Sequence, residues 1–277
     1  MIAIAFLMYC AKTEHIVIDF FNNDEKRVTM RKNKKILLIV LLAVGILLGG
    51  CVWYIGNYYH VTDLENALAE TNLVKITKID TGYWYDGPGK EDALIFYPGA
   101  KVEDIAYAPL LKMLAEQGVD CFLVHMPCNL AFFGINKAEK IMDAYEYEQW
   151  FLAGHSLGGA MAAEYADKNS DRLDGLIFLA AYSTKDLAKT ELNILSIYGS
   201  EDKVLNMEKM QHSRLLMPDS YQEYCIVGGN HAGYGDYDAQ KGDGTASITA
   251  QIQRQITVEK ILKMIKRNVT VNLDCER

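Results

Sequence analysis

The chain has 277 residues, half of them apolar, and a formal net charge of −8. That length and apolar share are enough for one domain with a full core, and they exclude a disordered, collagenous or repeat architecture. An acidic chain with no clustered basic face in its main body is a poor nucleic-acid binder, and six cysteines in a chain this long do not make a disulfide scaffold.

Arg31, Lys32, Lys34 and Lys35 precede an uncharged apolar run from Ile36 to Ile55, with Trp53, Tyr54, Tyr58 and Tyr59 at its far end. At ~1.5 Å per residue such a run spans ~30 Å, one hydrocarbon core, and the aromatic residues fall where an interfacial belt belongs. The expectation is a single-pass anchor in the cell membrane. The basic residues before the run keep the N-terminus in the cytoplasm and place the remainder outside. Two alternatives stay open: lipidation of Cys51 in "LLGGC", and cleavage of the run as a secretory signal. Residues 1–29 precede what reads as a complete start, so translation is expected to begin at Met30.

The expected organisation is a cytoplasmic N-terminus over 1–35, a transmembrane or signal segment over 36–55, a juxtamembrane segment over 56–74 and one catalytic domain over 75–277. "HVTDLENALAETN" reads as amphipathic, and "LVKITKIDTGYWYDG" as an opening pair of strands. Apolar strands then alternate with helices. The strands are "ALIFYPG", "VDCFLVHMP", "WFLAG", "LDGLIFLAAYS", "LNILSIYGS" and "YQEYCIVGG". The helices are "VEDIAYAPLLKMLAEQG" (capped by Gly118), "GINKAEKIMDAY", "GAMAAEYADKN", a short "TKDLAKT", "MEKMQHSRLLM" and a long last helix over about 246–267. Near-continuous apolar strands separated by helices predict a mostly parallel α/β sheet covered on both faces. Chemistry in such sheets gathers at the carboxyl ends of the strands.

Three residues follow strands in that manner. Ser156 sits in Gly154-His155-Ser156-Leu157-Gly158, which fits G-x-S-x-G between a strand and a helix, the context of a nucleophile elbow. Asp202 follows "ILSIYGS" and His231 follows "YCIVGGN". A histidine can take the serine proton and return it to a leaving group, and an aspartate fixes the tautomer of that histidine. The backbone N–H groups of Leu157 and Ala100 are the expected oxyanion donors. Asp236, Asp238 and Asp243 are rival acids on a less rigid loop. Lys101 either borders the site or is a solvated loop lysine. His155, inside the motif, points by position toward packing. His125, Leu130, Phe132, Phe133 and Tyr234 are the candidate pocket lining. No Cys/His spacing suggests a metal site, and the chemistry calls for no cofactor.

"YPGAKVEDIAYAPLLKMLAEQG", "VHMPCNLAFFGINKA", "AGHSLGGAMAA", "YGSEDKV" and "GGNHAGYGDYDAQKGDGTASI", in that order, resemble the α/β-hydrolase superfamily over about residues 75–267. More narrowly they resemble a membrane-anchored bacterial subgroup akin to dienelactone-hydrolase-like proteins. The resemblance implies a serine hydrolase of the α/β-hydrolase fold, without fixing its substrate. Dienelactone hydrolases proper carry a cysteine where this chain has Ser156, which argues against transferring that reaction. The short stretch between "GLIFLAA" and Asp202 leaves no room for a large lid, so an open, shallow site is expected. An acyltransferase with the same three residues, and a non-catalytic membrane-tethered binding protein of this fold, are the alternatives.

Overall fold

The computed structural model describes residues 34–275, with side chains through Lys266. The expected start at Met30 and the basic residues Arg31 and Lys32 lie outside the described residues. The chain divides into two units, the second comprising Asn57–Arg277. Among the described residues of the first, one helix, α1 (Lys34–Gly56), is long and apolar enough to cross a membrane. A helix with no polar face belongs in a core or in lipid, and none of the apolar stretch of α1 is buried within the protein.

The second unit is built on an eight-stranded sheet. Its strands are β1 (Lys75–Ile79), β2 (Gly82–Asp86), β3 (Asp92–Tyr97), β4 (Val119–Val124), β5 (Gln149–His155), β6 (Gly175–Leu179), β7 (Asn193–Gly199) and β8 (Gln222–Ile226). The order across the sheet is β1-β2-β4-β3-β5-β6-β7-β8. β2 pairs antiparallel with β1 and with β4, and every other pairing is parallel. The helices are α2 (Leu64–Leu68), α3 (Ala108–Ala115), α4 (Lys137–Met142), α5 (Leu157–Asn169), α6 (Met207–Ser213) and α7 (Ala250–Cys275).

The two-residue period of the strands sorts their apolar side chains between two cores. Leu94 and Phe96 of β3, Phe151 and Ala153 of β5, and Ile177 and Leu179 of β6 face one cluster, which takes Leu110, Leu111 and Leu114 from α3 and Ile261 and Ile265 from α7. Their neighbours Ile95, Leu152 and Phe178 face the other, which takes Ile141 from α4 and Ala162, Ala163 and Ala166 from α5. Both faces of the central strands are therefore covered, which is why their sequence is apolar without alternation.

The observed elements depart from expectation in three places. "TKDLAKT" forms no helix. Short polar side chains in and just before it take the backbone groups a helix would need: Ser183 Oγ accepts from the Lys185 N–H (2.9 Å), and Asp186 Oδ1 from the Ala188 N–H (3.0 Å). The helix expected over 102–118 opens with a 3-10 turn at Asp104–Tyr107, and α3 proper begins at Ala108, just before Pro109. The juxtamembrane stretch holds only the five-residue α2, capped by Asp63. Residues 57–74 fold with the second unit. Tyr59 donates its N–H to the Lys101 carbonyl (2.7 Å) and accepts from Glu103, while Thr62 donates to the Asp236 carbonyl (3.0 Å).

Candidate active site

Ser156 stands at the junction of β5 and α5 with φ 52° and ψ −119°. A non-glycine residue held there stores on the order of 1–3 kcal/mol of backbone strain, which the surroundings must impose. They do so by close packing. A Cβ on Gly158 would lie 2.1 Å from the Tyr97 carbonyl oxygen, and one on Gly154 would lie 2.4 Å from the Gly158 carbonyl carbon. The glycines let the first turn of α5 press against both β5 and the end of β3. The Ser156 N–H is anchored on the Leu179 carbonyl of β6 (2.9 Å). The N–H groups of Leu157 and Ala100, the expected oxyanion donors, have no hydrogen-bond acceptor among the described residues.

Asp202 follows β7 and His231 follows β8. Their side chains meet in the interior: His231 Nδ1 donates to Asp202 Oδ2 at 2.8 Å, with the two side chains 1% and 0% exposed. The other carboxylate oxygen of Asp202 accepts from the N–H groups of Val204 and Leu205, both at 2.8 Å. The aspartate is thus fixed before it orients anything. A carboxylate can only accept, so Nδ1 carries a proton, and in the neutral ring the lone pair is at Nε2. That Nε2 is buried and has no hydrogen-bond partner.

Of the rival acids, Asp243 comes near His231, but its carboxylate accepts from the backbone N–H groups of His231 (3.2 Å), Ala232 (2.9 Å) and Gly244 (2.7 Å). It holds the loop and does not touch the imidazole. Gln253 of α7 supports the same loop, bonding both the N–H (3.0 Å) and the carbonyl (2.8 Å) of Asn230. The sequence reading passed over these supports, because a lone glutamine on a helix and an aspartate in a polar loop carry no local pattern.

His155 is fully buried. It bonds Tyr107 Oη through Nδ1 (2.7 Å) and the His231 carbonyl through Nε2 (3.0 Å). Burial pushes its pKa well below the usual 6.5, and the neighbouring His231 adds to the shift. Lys101 has φ 58°, and its N–H donates to the Asn129 carbonyl (2.8 Å).

The expected pocket lining separates. Tyr234 is not at a surface: it is 0% exposed and donates its hydroxyl to the Ile197 carbonyl (3.0 Å). A phenol that reaches a main-chain acceptor can be buried whole, and the sequence reading mistook it for a wall. Leu130 is buried among neighbouring residues. Phe132 and Phe133 are exposed, but they line a cleft of about 420 Å³ shared with Lys137, Lys140, Glu164 and Lys168, which includes neither Ser156 nor His231. His125 lies at the end of β4 with its ring largely exposed, paired to Asp104 Oδ2 at 2.7 Å. The connection from β6 to β7 contains no helix and no inserted lid. Among the described residues no group of three or more His, Cys, Asp or Glu is placed to hold a metal ion.

A family model described as the alpha/beta hydrolase family matches residues 93–255. No curated protein matches in sequence. Among solved structures the chain is similar to a carboxyl esterase of the mycorrhizal fungus Tuber melanosporum (TM-score 0.54, 13% identity, covering 76% of this chain and 91% of that one). It is also similar to a CIB-like hydrolase from Thermoplasma acidophilum (0.50, 16%, 68% and 97%) and to mouse alpha/beta hydrolase domain-containing protein 10 (0.51, 12%, 72% and 97%). At these identities the likeness is one of fold.

Proposed function

This chain belongs to the alpha/beta hydrolase family, and we propose that it is a serine hydrolase that cleaves a carboxylic ester through an acyl-enzyme. The observation that carries the proposal is the buried Asp202–His231 pair, whose imidazole Nε2 has no hydrogen-bond partner, together with the strained Ser156 at the junction of β5 and α5. Ser156 Oγ attacks the carbonyl carbon and passes its proton to His231 Nε2. The Leu157 and Ala100 N–H groups hold the oxyanion. The tetrahedral intermediate collapses, the C–O bond to the alcohol breaks, and His231 gives its proton to that alcohol. Water then repeats the sequence on the acyl-serine and regenerates the enzyme. Asp202 holds the imidazole in the required tautomer and stabilises its charged form.

The connection from β6 to β7 carries no inserted lid, which favours small or flexible acyl groups. We place the catalytic unit outside the cell, tethered through α1, because Lys34 and Lys35 open that helix on its N-terminal side. The test is a panel of p-nitrophenyl esters of graded acyl length, run on the full chain in detergent and on Ser156→Ala. The wild type should prefer the short chains. The variant should fall to the uncatalysed background, a loss on the order of 10⁴-fold or more, and should lose fluorophosphonate labelling. Equal rates for the two proteins would remove the mechanism.

A further inference from the structure

Three chain segments bring the proposed machinery together: the turn after β3 with Ala100, the end of β5 with Ser156, and the turn after β8 with His231. All three converge on one buried imidazole. His155, the last residue of β5, has Nε2 at 3.0 Å from the His231 carbonyl oxygen. A carbonyl only accepts, so Nε2 carries the proton and Nδ1 is the acceptor. Nδ1 accepts from the Tyr107 hydroxyl at 2.7 Å. That hydroxyl in turn accepts from the Gly99 N–H at 3.1 Å, one residue before Ala100. Gly99 lies so close that a Cβ there would be 2.6 Å from His155 Nδ1 and 2.8 Å from Tyr107 Oη. Tyr237 also shares a side-chain hydrogen bond with the Tyr107 hydroxyl, and Tyr107, His155 and His231 are fully buried.

We propose that His155 and Tyr107 are positioning residues: a hydrogen-bonded bridge that sets the distance between the oxyanion loop and the residue bearing the base. The proposal rests on the serine-hydrolase reading above. The bridge acts on main-chain groups, the Gly99 N–H and the His231 carbonyl, so it places the loops without entering the proton path. It also suits the charge that develops in the reaction. The His155 ring centre is 4.6 Å from that of His231, and an imidazole with both nitrogens committed stays neutral beside the imidazolium. Its depressed basicity, caused first by burial, accords with this.

The experiment compares Tyr107→Phe, His155→Leu and His155→Gln with wild type and Ser156→Ala on p-nitrophenyl acetate, with kcat expressed per fluorophosphonate-labelled serine in the proteins that keep Ser156, so that misfolded protein is not counted, and per mole of protein in Ser156→Ala. Tyr107→Phe and His155→Leu should each lower kcat roughly 10- to 100-fold, the scale of a small misplacement of reacting groups, with KM changed less than about 3-fold because ground-state binding is not what the bridge serves. Glutamine offers an amide N–H to the carbonyl and an amide oxygen to the phenol, so His155→Gln should recover most of the rate. If His155→Leu does not fold, Tyr107→Phe, which removes a single oxygen, decides. Full kcat per labelled site in Tyr107→Phe, or a His155→Gln as slow as His155→Leu, would overturn the bridge. Activity retained in Ser156→Ala would instead overturn the serine mechanism beneath it.

Discussion

Ser156 and His231 stand at the ends of strands in one sheet, yet they are held by different forces. The serine elbow is fixed by main chain packed on main chain: Gly154 against Gly158, Gly158 against the Tyr97 carbonyl. The histidine turn is irregular and is fixed by side chains that reach into it: Asp243 and Gln253 on its backbone, and Asn230 donating to the Gly244 carbonyl (2.9 Å) and accepting from the Gly233 N–H (3.0 Å). Steric contact has no give at short range, whereas a hydrogen-bonded loop can lose one support and keep the others. The elbow should therefore fail all at once and the histidine turn by degrees.

Gly158→Ala is the strongest way to break that contrast. With its methyl carbon 2.1 Å from a backbone oxygen, the variant should lose about 3 kcal/mol or more of stability, or yield no folded protein. Urea unfolding measures this, and a stable, active Gly158→Ala would end the steric account. Asp243→Ala tests the other side. It strands the His231, Ala232 and Gly244 N–H groups, so a loss of about 2–3 kcal/mol is expected. A fall in kcat/KM of roughly 10-fold should accompany it, with the fold kept. Collapse of the whole domain would make the two regions alike.

The smallest effect sharpens the role of His155, which joins the two regions. Its folded pKa lies well below the unfolded 6.5, so the unfolded chain binds the proton first. The stability it contributes is present above about pH 6.5 and is lost as pH falls below that value, by up to about 1.4 kcal/mol per pH unit. His155→Gln should flatten the decline of Tm between pH 7 and pH 5 relative to wild type. An unchanged slope would mean that His155 is not held neutral in the fold.

Much of the fold was legible in the chain. The apolar runs from "ALIFYPG" to "YCIVGG" marked parallel strands, because a sheet covered on both faces writes itself as unbroken hydrophobicity. α1 was legible for the related reason that its apolar residues leave no polar face. The helix expected in "TKDLAKT" does not form, since a helical spacing of apolar residues does not report local competition from Ser183 and Asp186 for the backbone. Tyr234 was read as a wall and lies in the core, because its burial depends on reaching the Ile197 carbonyl of a different strand.

The sequence by itself determined what is written within a few residues: strand then glycine-flanked serine then helix, and an acid and a histidine each after its own strand. Only the tertiary structure decided which acid faces the imidazole, since Asp202 and Asp243 both come close to His231 and differ in whether they meet its ring or its backbone. It alone decided the path from Gly99 through Tyr107 and His155 to His231, and the pairing of Tyr59 and Thr62 with the loops around the site. The physical reason is range. Periodicity and turn chemistry act between neighbours in the chain, while a hydrogen bond at 3 Å between residues 76 apart, as from His155 to His231, exists only once the sheet has brought its strand ends together.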